Sequence, residues 1–165
     1  TFTFIGGGWL LGLPVPVWIA AFVVVAAIIV SKKIKLGRYI FAIGGNENAA
    51  KLSGINISKV KIIVYTIAGA LAAVGGIIVT ARLDSAQPNA GTSYELDAIA
   101  AVVIGGTSLS GVRGSIWGTV LGALIIGVLN NGLVLLDVSP FWQQVVKGGV
   151  ILLAVIIDKM NTKNE

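Results

Sequence analysis

Cysteine and histidine are both absent from the 165 residues. Without cysteine there is no disulfide and no thiolate metal site. Without histidine there is no imidazole base, so Ser-His-Asp triads are excluded as well. Charge is also scarce. Asp, Glu, Lys and Arg make up 12% of the chain, against about 25% in a typical soluble domain. No basic stretch is interleaved with aromatics, so the net charge of +5 does not point to nucleic acid. No cofactor and no metal is expected.

What is present is apolar sequence. Hydrophobic residues make up 56% of the chain, and the mean hydropathy is +0.94. Uncharged runs long enough to cross a bilayer recur along it, which predicts an all-α, polytopic transmembrane helical bundle. The positive charge is concentrated. Seven of the twelve Lys and Arg residues (Lys32, Lys33, Lys35, Arg38, Lys51, Lys59 and Lys61) fall in the polar stretch 31–61. Lys and Arg resist translocation, so a basic loop between apolar spans is expected on the cytoplasmic side.

That loop carries its own helix punctuation. Gly44 and Gly45 break the segment before it, and Asn46 suits an N-cap. Glu47 stands in the first turn, where the helix dipole favours an acid, and lies four residues before Lys51 in the favourable order. Gly54 suits a left-handed stop. The helix expected between them, 47–53, has about two turns and is too short to be stable alone. It therefore needs a surface to lie on, and its small face of Ala49, Ala50 and Ser53 allows close approach.

Taken in order, the chain opens with a Gly-rich, aromatic segment, 1–13, read as a loop or span edge on the outer face. Spans are expected at about 14–30, 62–81, 115–136 and 141–157, with Ser58 as the cap of the second. A shorter apolar segment at 96–106 reaches only about 16 Å as a helix, roughly half the hydrocarbon thickness. It either crosses as a short buried helix or re-enters. If it crosses, ten of the twelve Lys and Arg residues lie inside, and that asymmetry favours crossing. Small residues recur every four positions at Ala68, Ala72, Gly76 and Thr80, and again at Gly114, Gly118 and Gly122, as close helix packing requires.

Several polar groups carry two readings. Glu95 and Asp97 open the short segment, where acids stabilise a helix start, yet they also suit hydrogen bonding to a polyol in a pathway. Asn130 and Asn131 lie near a span end, either joining helices or lining a cavity. Lys147 interrupts the last span and must either pair, with Asp137 or a backbone carbonyl, or face water. The Gly105–Gly111 stretch lacks the Gly-Lys-Ser/Thr ending of a phosphate loop, so no nucleotide site is expected there. By residues alone an ion-coupled secondary transporter and a non-transporting membrane scaffold both remain open; the first needs a titratable relay, for which only Lys147 lies within a span.

Three runs, FAIGGNENAAKLSGI (Phe41–Ile55), SYELDAIAAVVIGGTSLSG (Ser93–Gly111) and GTVLGALIIGVLNNGLVLLDVS (Gly118–Ser139), resemble the permease subunits of ribose-type ABC sugar importers. The likeness covers about Phe41 to Asp158 and departs at Val112, where a second glycine is expected. Members are about twice this length, so the resemblance implies the C-terminal part of a single transmembrane permease domain of the cytoplasmic (inner) membrane. It implies that Asn46, Glu47, Ala49, Ala50, Ser53 and Gly54 form the coupling contact with a separate ABC ATPase. The remaining implied partners are a second permease chain, an extracytoplasmic sugar-binding protein and membrane lipid. The chain itself is expected to be non-catalytic, passing a monosaccharide such as ribose, with Glu95, Asp97, Asn130 and Asn131 as pathway residues.

Overall fold

The computed structural model describes residues 2–85, 87–108, 111 and 114–163. Val112, singled out by sequence, lies outside the described residues, as do its neighbour Arg113 and Leu109 and Ser110 of the glycine-rich stretch. The described residues form eight helices and one two-stranded hairpin. They divide into two compact units, Thr1–Thr92 and Ser93–Glu165.

In the first unit a short helix α1 (Phe2–Gly7) precedes the hairpin of β1 (Trp9–Leu10) and β2 (Leu13–Pro14). A loop or the edge of a span was expected over this segment. Pro14 and Pro16 then start α2 (Val15–Lys33), because proline is tolerated where the first turn has no hydrogen bond to lose. The indole N–H of Trp18 donates to the Leu10 carbonyl at 3.1 Å and ties α2 to the hairpin. After one extended residue, Ile34, the chain turns into α3 (Lys35–Gly45). The corner is tight enough that a Cβ on the buried Gly37 would overlap the Val30 carbonyl oxygen.

Helix α3 corrects the sequence reading, which left this stretch as part of a polar loop. Its signal was available: Leu36, Tyr39, Ile40 and Ile43 recur at helical spacing among the charges. Helix α4 (Glu47–Leu52) follows, then α5 (Ile57–Leu83). The cap of α5 is Asn56, whose side chain accepts from the Lys59 N–H at 3.1 Å, and not Ser58. The earlier cap lengthens the helix beyond the expected 62–81 to 27 residues, about 40 Å.

The second unit holds α6 (Tyr94–Ile104), α7 (Ile116–Leu135) and α8 (Pro140–Lys163). Helix α6 is as short as its sequence suggests. It packs on α7 with almost no side chain between the two backbones. A Cβ on Gly118 would overlap the Gly105 carbonyl oxygen, and one on Gly122 would overlap that of Ala101. The glycine stripe at 118 and 122 thus meets a facing helix. Gly114 lies exposed before α7, whose cap is Ser115, and Gly76 on α5 has open space around its Cα. Ala100, Ala101 and Ile126 form a small buried core, with Ile104 and Ile151 packed against it.

Among the described residues three helices, α2, α5 and α7, are long and apolar enough to cross a membrane; the apolar part of α8, Pro140–Ile156, is slightly shorter. Large apolar side chains such as Phe22, Tyr65, Val128 and Leu135 point outward. The protein is a multi-pass helical membrane protein.

Candidate functional site: a capped helix and a polar cluster

The six residues of α4 are held at both ends by local chemistry. At the start, the Asn46 side chain accepts from the Ala49 N–H at 3.0 Å. At the end, Gly54 adopts φ +82°, a left-handed conformation with little penalty only for glycine. Its N–H donates to Lys51 O at 3.0 Å, and the Ile55 N–H reaches back to Ala50 O at 3.1 Å. This pair of bonds is a Schellman stop. Ser53 Oγ donates to the Ala49 carbonyl at 2.9 Å.

The expected Glu47–Lys51 pair is not the one formed. Lys61, in the first turns of α5, donates to both oxygens of Glu47, at 3.0 and 2.9 Å. The acid thus bridges two helices, and Lys51 remains exposed. Of the small face, only Ala50 is buried; Ala49 and Ser53 lie on the exposed side. Leu52, which the sequence reading passed over, is 90% exposed at the end of the helix. The result is a rigid two-turn knob with one flank anchored to its own unit and the other open.

The second unit brings together two of the four residues expected to line a pathway. The Asn130 amide of α7 donates to Asp97 Oδ2 of α6 at 3.1 Å. Lys147 of α8 donates to the same oxygen at 3.0 Å, and its Nζ stands 2.9 Å from Oδ1 as an ion pair. The Lys147 and Asp97 side chains are only 13% and 17% exposed. Asp97 is therefore the partner of Lys147. Asp137 is not: it adopts a left-handed conformation (φ +53°) after α7 and is exposed. Glu95 and Asn131 are exposed and stand apart from the cluster. Gln144 reaches Ser93 Oγ at 3.4 Å, and Gln143 donates to Val138 O at 2.7 Å.

Each unit thus exposes large apolar side chains and carries one ordered polar feature. Residues 1–155 match the family described as branched-chain amino acid transport system / permease component, and the chain belongs to that family. It is 60% identical over 157 residues to the ribose import permease protein RbsC of Escherichia coli strain K12, covering 95% of this chain and 49% of that protein. The RbsC protein of Haemophilus influenzae is 57% identical over the same shares. The xylose transport system permease protein XylH of Haemophilus influenzae is 53% identical over 152 residues, which is 92% of this chain and 40% of that protein. The chain spans about half the length of the curated relatives it matches. No solved structure matches it.

Proposed function

We propose that this chain is the C-terminal half of the permease subunit of an ABC importer that carries a monosaccharide, ribose before xylose, across the cytoplasmic membrane. The observation that carries the reading is α4, capped at both ends and pinned by Glu47–Lys61 within a family of transport permeases. The identity of about 60% to a ribose import permease supports the sugar.

In this reading the stretch from Ser31 to Lys61 lies in the cytoplasm. Asn46, Glu47, Ala49, Ala50, Ser53 and Gly54 build the contact with an ABC ATPase, which alone hydrolyses ATP. The chain is non-catalytic. Closure of the ATPase pushes on α4, and α5 tilts with it because the Glu47–Lys61 bridge and the 54–56 turn leave little slack between them. A second permease chain completes the pathway, a sugar-binding protein delivers the substrate outside, and lipid surrounds the outward apolar side chains. Glu95 and Asn131 offer exposed hydrogen-bonding groups to sugar hydroxyls, while Asp97 and Asn130 act apart from them, in the buried cluster.

The test is uptake of labelled ribose by the full-length protein with its ATPase and binding protein. ATP-dependent uptake is expected. Uptake that survives loss of ATP hydrolysis would favour a secondary transporter and overturn the reading. A single cysteine at Asn48, cross-linked to the ATPase in inside-out vesicles, checks the coupling contact; labelling of that cysteine only from outside would overturn the topology.

A further inference from the structure

Resting on the permease reading, we propose that Lys147, Asp97 and Asn130 form a positioning lock for α8. They act on translocation by fixing where α8 sits against α6 and α7, and not by touching the sugar.

The first argument is occupancy. Lys147 engages both Asp97 oxygens, and Asn130 takes a second bond to Oδ2. Two other helices supply partners to the carboxylate: both hydrogen bonds go to Oδ2, while Oδ1, 2.9 Å from the ammonium, is buried without a hydrogen bond. Asn130 gives its amide to this carboxylate although its own Oδ1 is then buried with no hydrogen-bond partner. The cluster is arranged around the charge, and the two acceptor oxygens it leaves without a hydrogen bond, Asp97 Oδ1 and Asn130 Oδ1, are both buried.

The second argument is depth. Lys147 is the eighth residue of α8, about 10 Å along its axis from the start. Asn130 is five residues before the end of α7, about 8 Å from it. At such a depth an unpaired ammonium or carboxylate is strongly disfavoured, so each charge requires the other.

The third argument is what else holds these helices. Their shared core is Ala100, Ala101 and Ile126, and the α6–α7 face is glycine and alanine. Small apolar surfaces of this kind pack closely but resist sliding weakly. A directional pair sets register, the best-attested use of buried ionic groups. One residue from each of the three helices meets here, so the lock defines their relative heights.

The experiment uses the full-length permease reconstituted with its ATPase and binding protein. Ribose uptake is measured per inserted permease, as maximal rate and half-saturating concentration. Asp97→Asn, which leaves Lys147 without its counter-charge, is expected to lower the maximal rate about tenfold. The half-saturating concentration should stay within about twofold, since no ground-state contact to sugar is lost. Adding Lys147→Gln to Asp97→Asn removes the stranded charge and should recover most of the rate. Lys147→Arg, which keeps the charge, should insert and transport within about threefold of the parent.

A double variant that inserts normally yet stays as slow as Asp97→Asn overturns the lock. So does a large rise in the half-saturating concentration, which would put Asp97 on the sugar. If Asp97→Asn fails to insert, recovery is read as insertion, and a double variant that does not restore it is equally fatal. Absence of ATP-dependent uptake by the unaltered protein would instead sink the permease reading, and insertion of the variants would still test the lock.

Discussion

Lys61 grips Glu47 across 14 residues of chain, with both carboxylate oxygens within 3.0 Å of its Nζ. The two side chains are about half exposed. A pair of that exposure contributes only about 0–1 kcal/mol to stability. Its importance lies in geometry: it joins a helix too short to stand alone to one of 27 residues.

Lys61→Met should therefore leave insertion and thermal stability nearly unchanged, within about 1 kcal/mol. The expected effect is on coupling, with more ATP hydrolysed for each sugar moved. Simultaneous measurement of hydrolysis and uptake checks this. An unchanged ratio would show that α4 passes its motion to α5 without the bridge.

Gly54→Val places a β-branched residue at φ +82°. The strain is on the order of 1–3 kcal/mol, relieved by unwinding the stop of α4. Uptake should fall while membrane insertion persists. Normal uptake by this variant would show that the end of α4 does not matter for coupling.

Leu52 is expected to mark the open flank of α4. Leu52→Asp should not disturb the unit, because the side chain is 90% exposed. It should weaken co-purification with the ATPase by about tenfold or more, as loss of an interface anchor does. Retention of the full complex would move the contact to another side of the helix.

Gly118→Leu and Gly76→Leu should separate two kinds of small-residue site. The first drives a side chain into the Gly105 backbone and should destabilise the second unit by at least about 1–3 kcal/mol. The second meets open space within its own unit. It should insert and resist protease normally, with any loss confined to assembly with other chains. Protease resistance in detergent and the oligomeric state distinguish the two.

The parts that were legible in the sequence are those decided by a few neighbouring residues. Asn46 and Gly54 bracket α4 because a cap reaches three residues and a left-handed stop needs one glycine. Gly118 and Gly122 announced a close helix contact because spacing by four is local, although the facing carbonyls of Gly105 and Ala101 were not foreseen. The pairings were not legible. Glu47 had Lys51 at a favourable spacing and took Lys61 instead. Lys147 had Asp137 ten residues away and took Asp97, fifty away, because α6 folds back against α8. Helix α3 was hidden for another reason: Lys35 and Arg38 interleave with Leu36, Tyr39, Ile40 and Ile43, so charge masks the apolar spacing.

The Asp97–Lys147 pair also has an electrical consequence. A lone charge displaced through a membrane exchanges about 2.3 kcal/mol with every 100 mV it crosses. Here opposite charges sit 2.9 Å apart, so the pair, moving with α6 and α8 together, carries no net charge through the field. Such a movement is electrically silent. Its rate should not vary with membrane voltage.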